Sequence, residues 1–214
     1  MDTLLRRREL IEVVNSAPSP IFHAKLIFDG TAYIDTTVLM PEDGTLRAIF
    51  GWETEKKYQV LFSFDGKVGT YLNSSTNATS RYFTSTYDGT TVVSGTTLGL
   101  GWSYNSYSFF LTPSRVGYGS TTRTFTKGNS RPANGLVVGQ NASHSGTPFT
   151  GAVQRIRIYG SDAKNVTSNS DLDNYTPVAN LRPCTYLGEA GLWWVEQGIF
   201  FGNSAGSGSL SVAD

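Results

Sequence analysis

Hydrophobic and polar positions alternate with a period of two along much of this chain. The clearest run is PFTGAVQRIRIYG, residues 148 to 160, where Ile156 and Ile158 fall on one side and Arg155, Arg157 and Tyr159 on the other. It predicts a strand with one dry face and one wet or paired face. Phe149 and Gly151 just ahead predict a bend, in which the small residue lets the backbone turn while the ring tucks beneath the sheet. From Ile21 onward two short apolar runs flank the turn dipeptide Asp29-Gly30, and residues 45 to 52, 58 to 64 and 68 to 72 read as three further strands. Strands continue over 81 to 112, broken at Asp88-Gly89 and around Asn105; 114 to 134 is rich in loop residues, and GLVVGQ at 135 to 140 reads as a buried strand. After Gly160 the stretch SDAKNVTSNSDLDNYTP is polar and aperiodic, a surface excursion. GLWWV and IFFG, with a turn at Glu196 to Gly198, predict a terminal hairpin packed on the rest, because Trp193, Trp194, Phe200 and Phe201 carry too much apolar area to leave in water.

One segment departs from this period. Residues 2 to 14 read as a short helix, capped by Asp2 or Thr3, with Leu4, Leu5, Leu10, Ile11, Val13 and Val14 as its apolar side and Pro18 and Pro20 beyond its end. A lone helix of about a dozen residues is marginal in water and needs a surface to lie on. That surface is either its own domain or a partner, in which case the helix is a docking or oligomerisation peg. The chain therefore divides into an N-terminal helix (1–17), a β-sandwich (18–165), and a loop with terminal hairpin packed on it (166–214).

Composition narrows the function. In 214 residues, charged side chains make up 16% and aromatics 13%, a balance that suits short strands joined by polar loops and not a helical bundle. Seventeen basic and seventeen acidic residues cancel, so no global field recruits nucleic acid. The single cysteine, Cys184, excludes an intrachain disulfide and a cysteine-based zinc site, and reads as a small buried hydrophobe. No apolar run is long enough for a signal peptide or a membrane span. The expectation is a protein made in the cytoplasm and not exported by the usual route. The five Asn-X-Ser/Thr sequons (Asn73, Asn77, Asn141, Asn165, Asn174) then reflect composition and not glycosylation.

FDGTAYIDT (28–36) and FTGAVQRIRIYG (149–160) resemble the opening and late strands of concanavalin-A-like, laminin-G-like jelly-roll sandwiches. More narrowly, four pieces taken in order resemble a group of tail proteins from gut Bacteroidetes and their phages. These are LLRRRE, then GTAYIDT, then LVVGQN leading to FTG, and the ending from PCTYLGEAGLW to FFGNSAGSGS. The resemblance implies an all-β, two-sheet jelly-roll sandwich with a short N-terminal helix and a C-terminal β-hairpin extension. It also implies a non-enzymatic virion protein, a tail, fibre or capsid-decoration component. Such a protein would dock to other virion proteins through its helix, be released by lysis, and display the sandwich for structure or host adhesion. A homotrimer would suit the symmetry of appendages. The alternative is a bacterial carbohydrate-binding module without virion attachment. The segment between 65 and 134 is richer in Ser, Thr and Tyr than that family's, so loop-borne function does not carry across.

Candidate chemistry follows from the resemblance and the residues together. Sandwiches of this kind bind glycans through aromatic faces and amide or hydroxyl groups on loops, which singles out Trp102, Tyr104, Asn105 and Tyr107 in GWSYNSYSFF, with host-surface polysaccharide as the expected ligand. Some relatives are glycosidases; Glu53 and Glu55 share one strand face, but the adjacent Lys56 and Lys57 make a charged turn the better reading. Bound Ca²⁺ is a minor expectation, with Asp29, Asp35, Asp65 and Asp88 near turns to supply oxygens and no EF-hand loop. His23 and His144 lack a spaced partner for a metal or a nucleophile, and neither reads as catalytic.

Overall fold

The computed structural model describes residues 18–52, 59–64, 68–74, 81–87, 90–97, 104–118, 121–124 and 134–214. In chain order the first strands are β1 (Ile21–Phe22), β2 (Lys25–Asp29), β3 (Ile34–Asp35), β4 (Thr45–Trp52), β5 (Gln59–Phe64) and β6 (Val68–Ser74). Then come β7 (Arg81–Tyr87), β8 (Thr90–Thr97), β9 (Tyr104–Leu111), β10 (Arg115–Tyr118), β11 (Thr121–Thr124) and β12 (Val137–Val138). The chain ends with β13 (Thr147–Pro148), β14 (Thr150–Tyr159), β15 (Ala179–Tyr186), β16 (Glu189–Trp194), β17 (Ile199–Phe201) and β18 (Leu210–Ala213). They form an all-β, two-sheet jelly-roll sandwich. The larger sheet runs β11-β10-β9-β4-β14-β15-β16-β17 with β1, β2 and β18 attached; the smaller runs β3-β12-β5-β6-β7-β8 with β13 beside β5. The helix expected over 1–17, with Leu4, Leu5, Leu10, Ile11 and Val14, lies outside the described residues.

The core is the space between the sheets. Leu46, Ala48 and Phe50 of β4, Ile156 and Ile158 of β14, and Phe109 and Leu111 of β9 meet Phe62 and Phe64 of β5 and Val138 of β12. The Phe62 and Phe109 rings touch across the gap at 5.4 Å. Val153 and Ile156 are three apart, which strict alternation would send to opposite faces. Both are nonetheless core residues, because a bulge between Val153 and Arg155 shifts the register against β4 and returns the chain to phase.

The bend at Phe149 and Gly151 is the point where the chain changes sheets. Thr147 and Pro148 pair in parallel with β5 of the smaller sheet, and from Thr150 the chain pairs with β2 of the larger. Phe149, fully buried between them, packs on Phe28 at 6.0 Å. A Cβ on Gly151 would strike the Gly51 carbonyl and the Phe149 ring, so only glycine fits. Buried Gln59 secures the crossing by accepting the Thr150 amide at 2.7 Å.

The terminal hairpin, β16 with β17, joins the sandwich by continuing the larger sheet through β15, with Leu192 and Phe201 in the shared core, and β18 returns to pair with β2. The polar excursion after Gly160, with two 3-10 turns at Ser161–Ala163 and Asp171–Asn174, carries a small core of its own. Ala163, Val166 and Leu172 cover Phe110 and Tyr159, which point outward from the larger sheet. Phe109 and Phe110 are consecutive in a strand, so one of them must face away from the main core and be covered by something else.

Ile156 is 1% exposed in the middle of that core. Ile156→Ala is expected to cost about 2–5 kcal/mol of unfolding free energy, seen as a lower urea midpoint at unchanged slope.

Candidate functional site

The candidate site is the outer face of the larger sheet, where alternation leaves polar and aromatic side chains between core residues. On β4 these are Arg47 and Ile49, on β14 Arg155 and Arg157, on β15 Asn180 and Arg182, on β16 Trp193, and on β17 Phe200. Register carries them across the strands: Arg157 lies opposite Arg47 and Asn180, Arg155 opposite Ile49, and Trp193 opposite both Arg182 and Phe200. The excursion covers one end of this face. Beyond it, the half-buried side chains of Arg47, Ile49, Arg155 and Arg157 line a shallow, water-sized depression of about 10 Å³.

Charge on this face is unevenly compensated. Asp173 of the excursion takes Arg47 Nη1 at 2.6 Å and Arg157 Nη1 at 3.6 Å. Arg155 pairs with no carboxylate among the described residues; its Nε donates to the Asn180 side-chain oxygen at 2.9 Å. Burial, then the like charges of Arg157, Arg182 and Arg47, lower the Arg155 pKa from its ordinary value, with Tyr159 opposing. Arg182 lies over the Phe22 ring at 4.2 Å. Glu196 accepts the Asn180 backbone amide at 2.9 Å. Beside the arginines, Tyr186 meets Trp193 at 5.2 Å and Phe200 at 5.5 Å, forming a half-buried aromatic group on the same side.

The residues singled out from sequence fare differently. Trp102 lies outside the described residues. Tyr104 and Asn105 belong to β9, so Asn105 is in a strand and not at a turn; Tyr104 is in register with Trp52. Tyr107 is a correction: at 5% exposed it is a core ring against Phe50 and Trp52, each 5.9 Å away, and offers no platform to a ligand. Glu53, Glu55, Asp65 and Asp88 lie outside the described residues. Both oxygens of Asp29 are engaged. Oδ1 accepts the Thr31 and Ala32 amides and the Thr31 hydroxyl, and Oδ2 accepts the Ser209 amide and hydroxyl. It is a turn lock and leaves no lone pair aimed at a cation. Asp35 is taken by His144. Among the described residues no group of three His, Cys, Asp or Glu side chains could hold a metal.

The histidines find partners that spacing could not reveal. His144, at φ 53°, stacks on Tyr33 at 4.4 Å and meets Asp35 at 3.0 Å, pinning the 141–146 loop to β3. His23 sits between Asp214 at 3.0 Å and the Thr185 hydroxyl at 3.1 Å, an order of carboxylate, imidazole and hydroxyl that superficially matches a nucleophilic triad. Its setting argues for a tie. Thr185 lies in a strand paired on both sides, with Ile21 and with Ala190, so no free pair of amides is presented to an oxyanion. Asp214, 81% exposed, is a weakly held orienting group.

No family model matches the sequence, and no curated protein matches it. Among solved structures, a native heptameric SAP-like pentraxin from Limulus polyphemus is similar at 13% identity and a TM-score of 0.49, covering 66% of this chain and 77% of that one. The class of protein rests on the topology described above, a two-sheet jelly-roll sandwich.

Burial raises the Asp29 pKa, but the Thr31 hydroxyl and the amides of Ala32, Thr31 and Ser209 outweigh it and hold the carboxyl well below the usual range. A depressed folded pKa contributes stability that is complete above the unfolded value, about 3.9, and is lost as pH falls through the folded one. Asp29→Asn should therefore be less stable than the parent at neutral pH and lose less on acidification, as read from thermal midpoints between neutral and strongly acid pH. Burial also pushes the Cys184 thiol up to about 11. A thiol-reactive dye at mildly alkaline pH should leave Cys184 unmodified in the native protein and label it fully in denaturant.

Proposed function

We propose that this chain is a non-enzymatic phage virion protein that displays a lectin-like sandwich for adhesion to host-surface glycans. The observation that carries the binding part is the half-exposed aromatic group of Tyr186, Trp193 and Phe200 on the open face of the larger sheet. Rings of this kind, beside side chains that donate and accept hydrogen bonds, suit the apolar faces and hydroxyl edges of sugars. This is a different place from the Trp102 to Tyr107 run, of which Tyr107 is committed to the core. The non-enzymatic reading is supported by His23 and His144, each held by partners that fix a loop or a terminus. The virion setting is supported by the ordered sequence pieces from LLRRRE to FFGNSAGSGS.

Two measurements test the two parts. On an array of neutral and acidic glycans the protein should bind at least one class, and Trp193→Ala should weaken that binding about tenfold while leaving the melting temperature nearly unchanged. Density-gradient fractionation of a source lysate should place the chain with intact particles in constant ratio to the major capsid protein. Glycan binding without particle association would leave a carbohydrate-binding module; association without binding would leave structural decoration.

A further inference from the structure

We infer that the ligand of this face is an acidic polysaccharide, and that Arg47, Arg155 and Arg157 form the subsite for its carboxylate or sulfate groups. This rests on the proposed glycan-binding role and specifies its chemistry.

Three arginines on two adjacent strands face the same way, with Arg47 and Arg157 directly opposite each other. Like charges in that relation repel and need an anion between them. The chain supplies one, Asp173, which is shared between two guanidinium groups and is itself 60% exposed on the excursion. Arg155 is given a neutral amide oxygen instead. The side chains of Arg47 and Arg157 are only 14% and 22% exposed, which confines their stems, and among the described residues the buried Nε atoms of both meet no acceptor. Such pre-positioned guanidinium forks lose little freedom when they take a planar carboxylate or a sulfate in bidentate fashion. The depression they line opens on the same face as Trp193, which is in register with Arg182. A chain of sugars carrying acidic groups could thus stack on the rings and place its charges among the arginines. A nucleic acid is disfavoured, since seventeen basic residues are matched by seventeen acidic ones and the chain carries no net positive charge.

The test is affinity electrophoresis and calorimetry of the full chain with polygalacturonate, heparin, neutral dextran and poly(dT). The expected result is binding to polygalacturonate, to heparin or to both, which separates carboxylate from sulfate recognition, with no binding to dextran and steep weakening by salt. Arg155→Gln with Arg157→Gln should lower that affinity by about tenfold or more, the scale of losing charge-assisted hydrogen bonds. Asp173→Asn, which removes the built-in competitor, should raise it several-fold. The opposite signs separate ligand contact from a merely structural role, and the second variant keeps the test decisive if the first fails to fold. Binding to dextran as tightly as to the acidic polymers, equal binding to poly(dT), or an Asp173→Asn variant with unchanged or weaker affinity would each overturn the proposal. Binding confined to neutral sugars on the array would overturn it while leaving the glycan-binding role intact, whereas silence toward every glycan would remove both.

Discussion

Two sheets can share one dry core only if the chain crosses between them without leaving a buried backbone group unpaired. Here the final crossing takes place within three residues. Pro148 still belongs to the smaller sheet, Thr150 already belongs to the larger, and Phe149 fills the space between. The Phe149 amide donates to the Gly139 carbonyl and the Thr150 amide to Gln59, so the groups released by the change of sheet are satisfied at once. Gly151 lets β2, β4 and β14 come together beside the ring. With the crossing fixed, β14 lies at the centre of the larger sheet, between β4 and β15, and its alternation decides which side chains face the core and which form the arginine row.

The outer face inherits its character from that arrangement. A strand at the centre of a sandwich needs every second side chain for the core, and its other side chains must find either a cover or a solvent role. The fold uses both solutions on one sheet. Phe110 and Tyr159 are covered by the excursion, whose residues Ala163, Val166 and Leu172 seal them. Arg47, Ile49, Arg155 and Arg157 lie beyond that cover and stay half-buried, with Asp173 at the boundary tying the cover to the arginines. The excursion therefore does two things: it completes a second small core, and it supplies the carboxylate that Arg47 and Arg157 share. Asp171 holds its shape by accepting the Thr167 and Ser168 amides and the Thr167 hydroxyl, and the Thr167 amide is foremost in holding its pKa at about 2.

Adjacent aromatic pairs show how far pattern alone can be read. Trp193-Trp194 and Phe200-Phe201 looked like a single apolar mass that had to be buried. In a strand, neighbours point to opposite sides, so each pair divides: Trp194 and Phe201 join the core, and Trp193 and Phe200 emerge on the outer face. That division was implicit in the period of two. What the pattern could not supply was the neighbour across the strand, and hence the meeting of Trp193 with Tyr186 and Arg182.

The sequence by itself determined the all-β class, the positions of β4, β5 and β14 to within a residue or two, the bend at Phe149 and Gly151, and the buried character of Cys184. Each of these depends on local alternation, turn chemistry or residue size, which act between near neighbours in the chain. Only the tertiary structure decided that Tyr107 is core, that the terminal hairpin extends the larger sheet, and that residues far apart in sequence meet. His23 joins Asp214 and Thr185, Asp29 joins Ser209, and Asp173 joins Arg47. These outcomes depend on strand order and register, and a period-two pattern is the same whichever strand lies alongside. The candidate site belongs to this second group: each arginine was visible as a polar position, but their assembly on one face was set by which strands became neighbours.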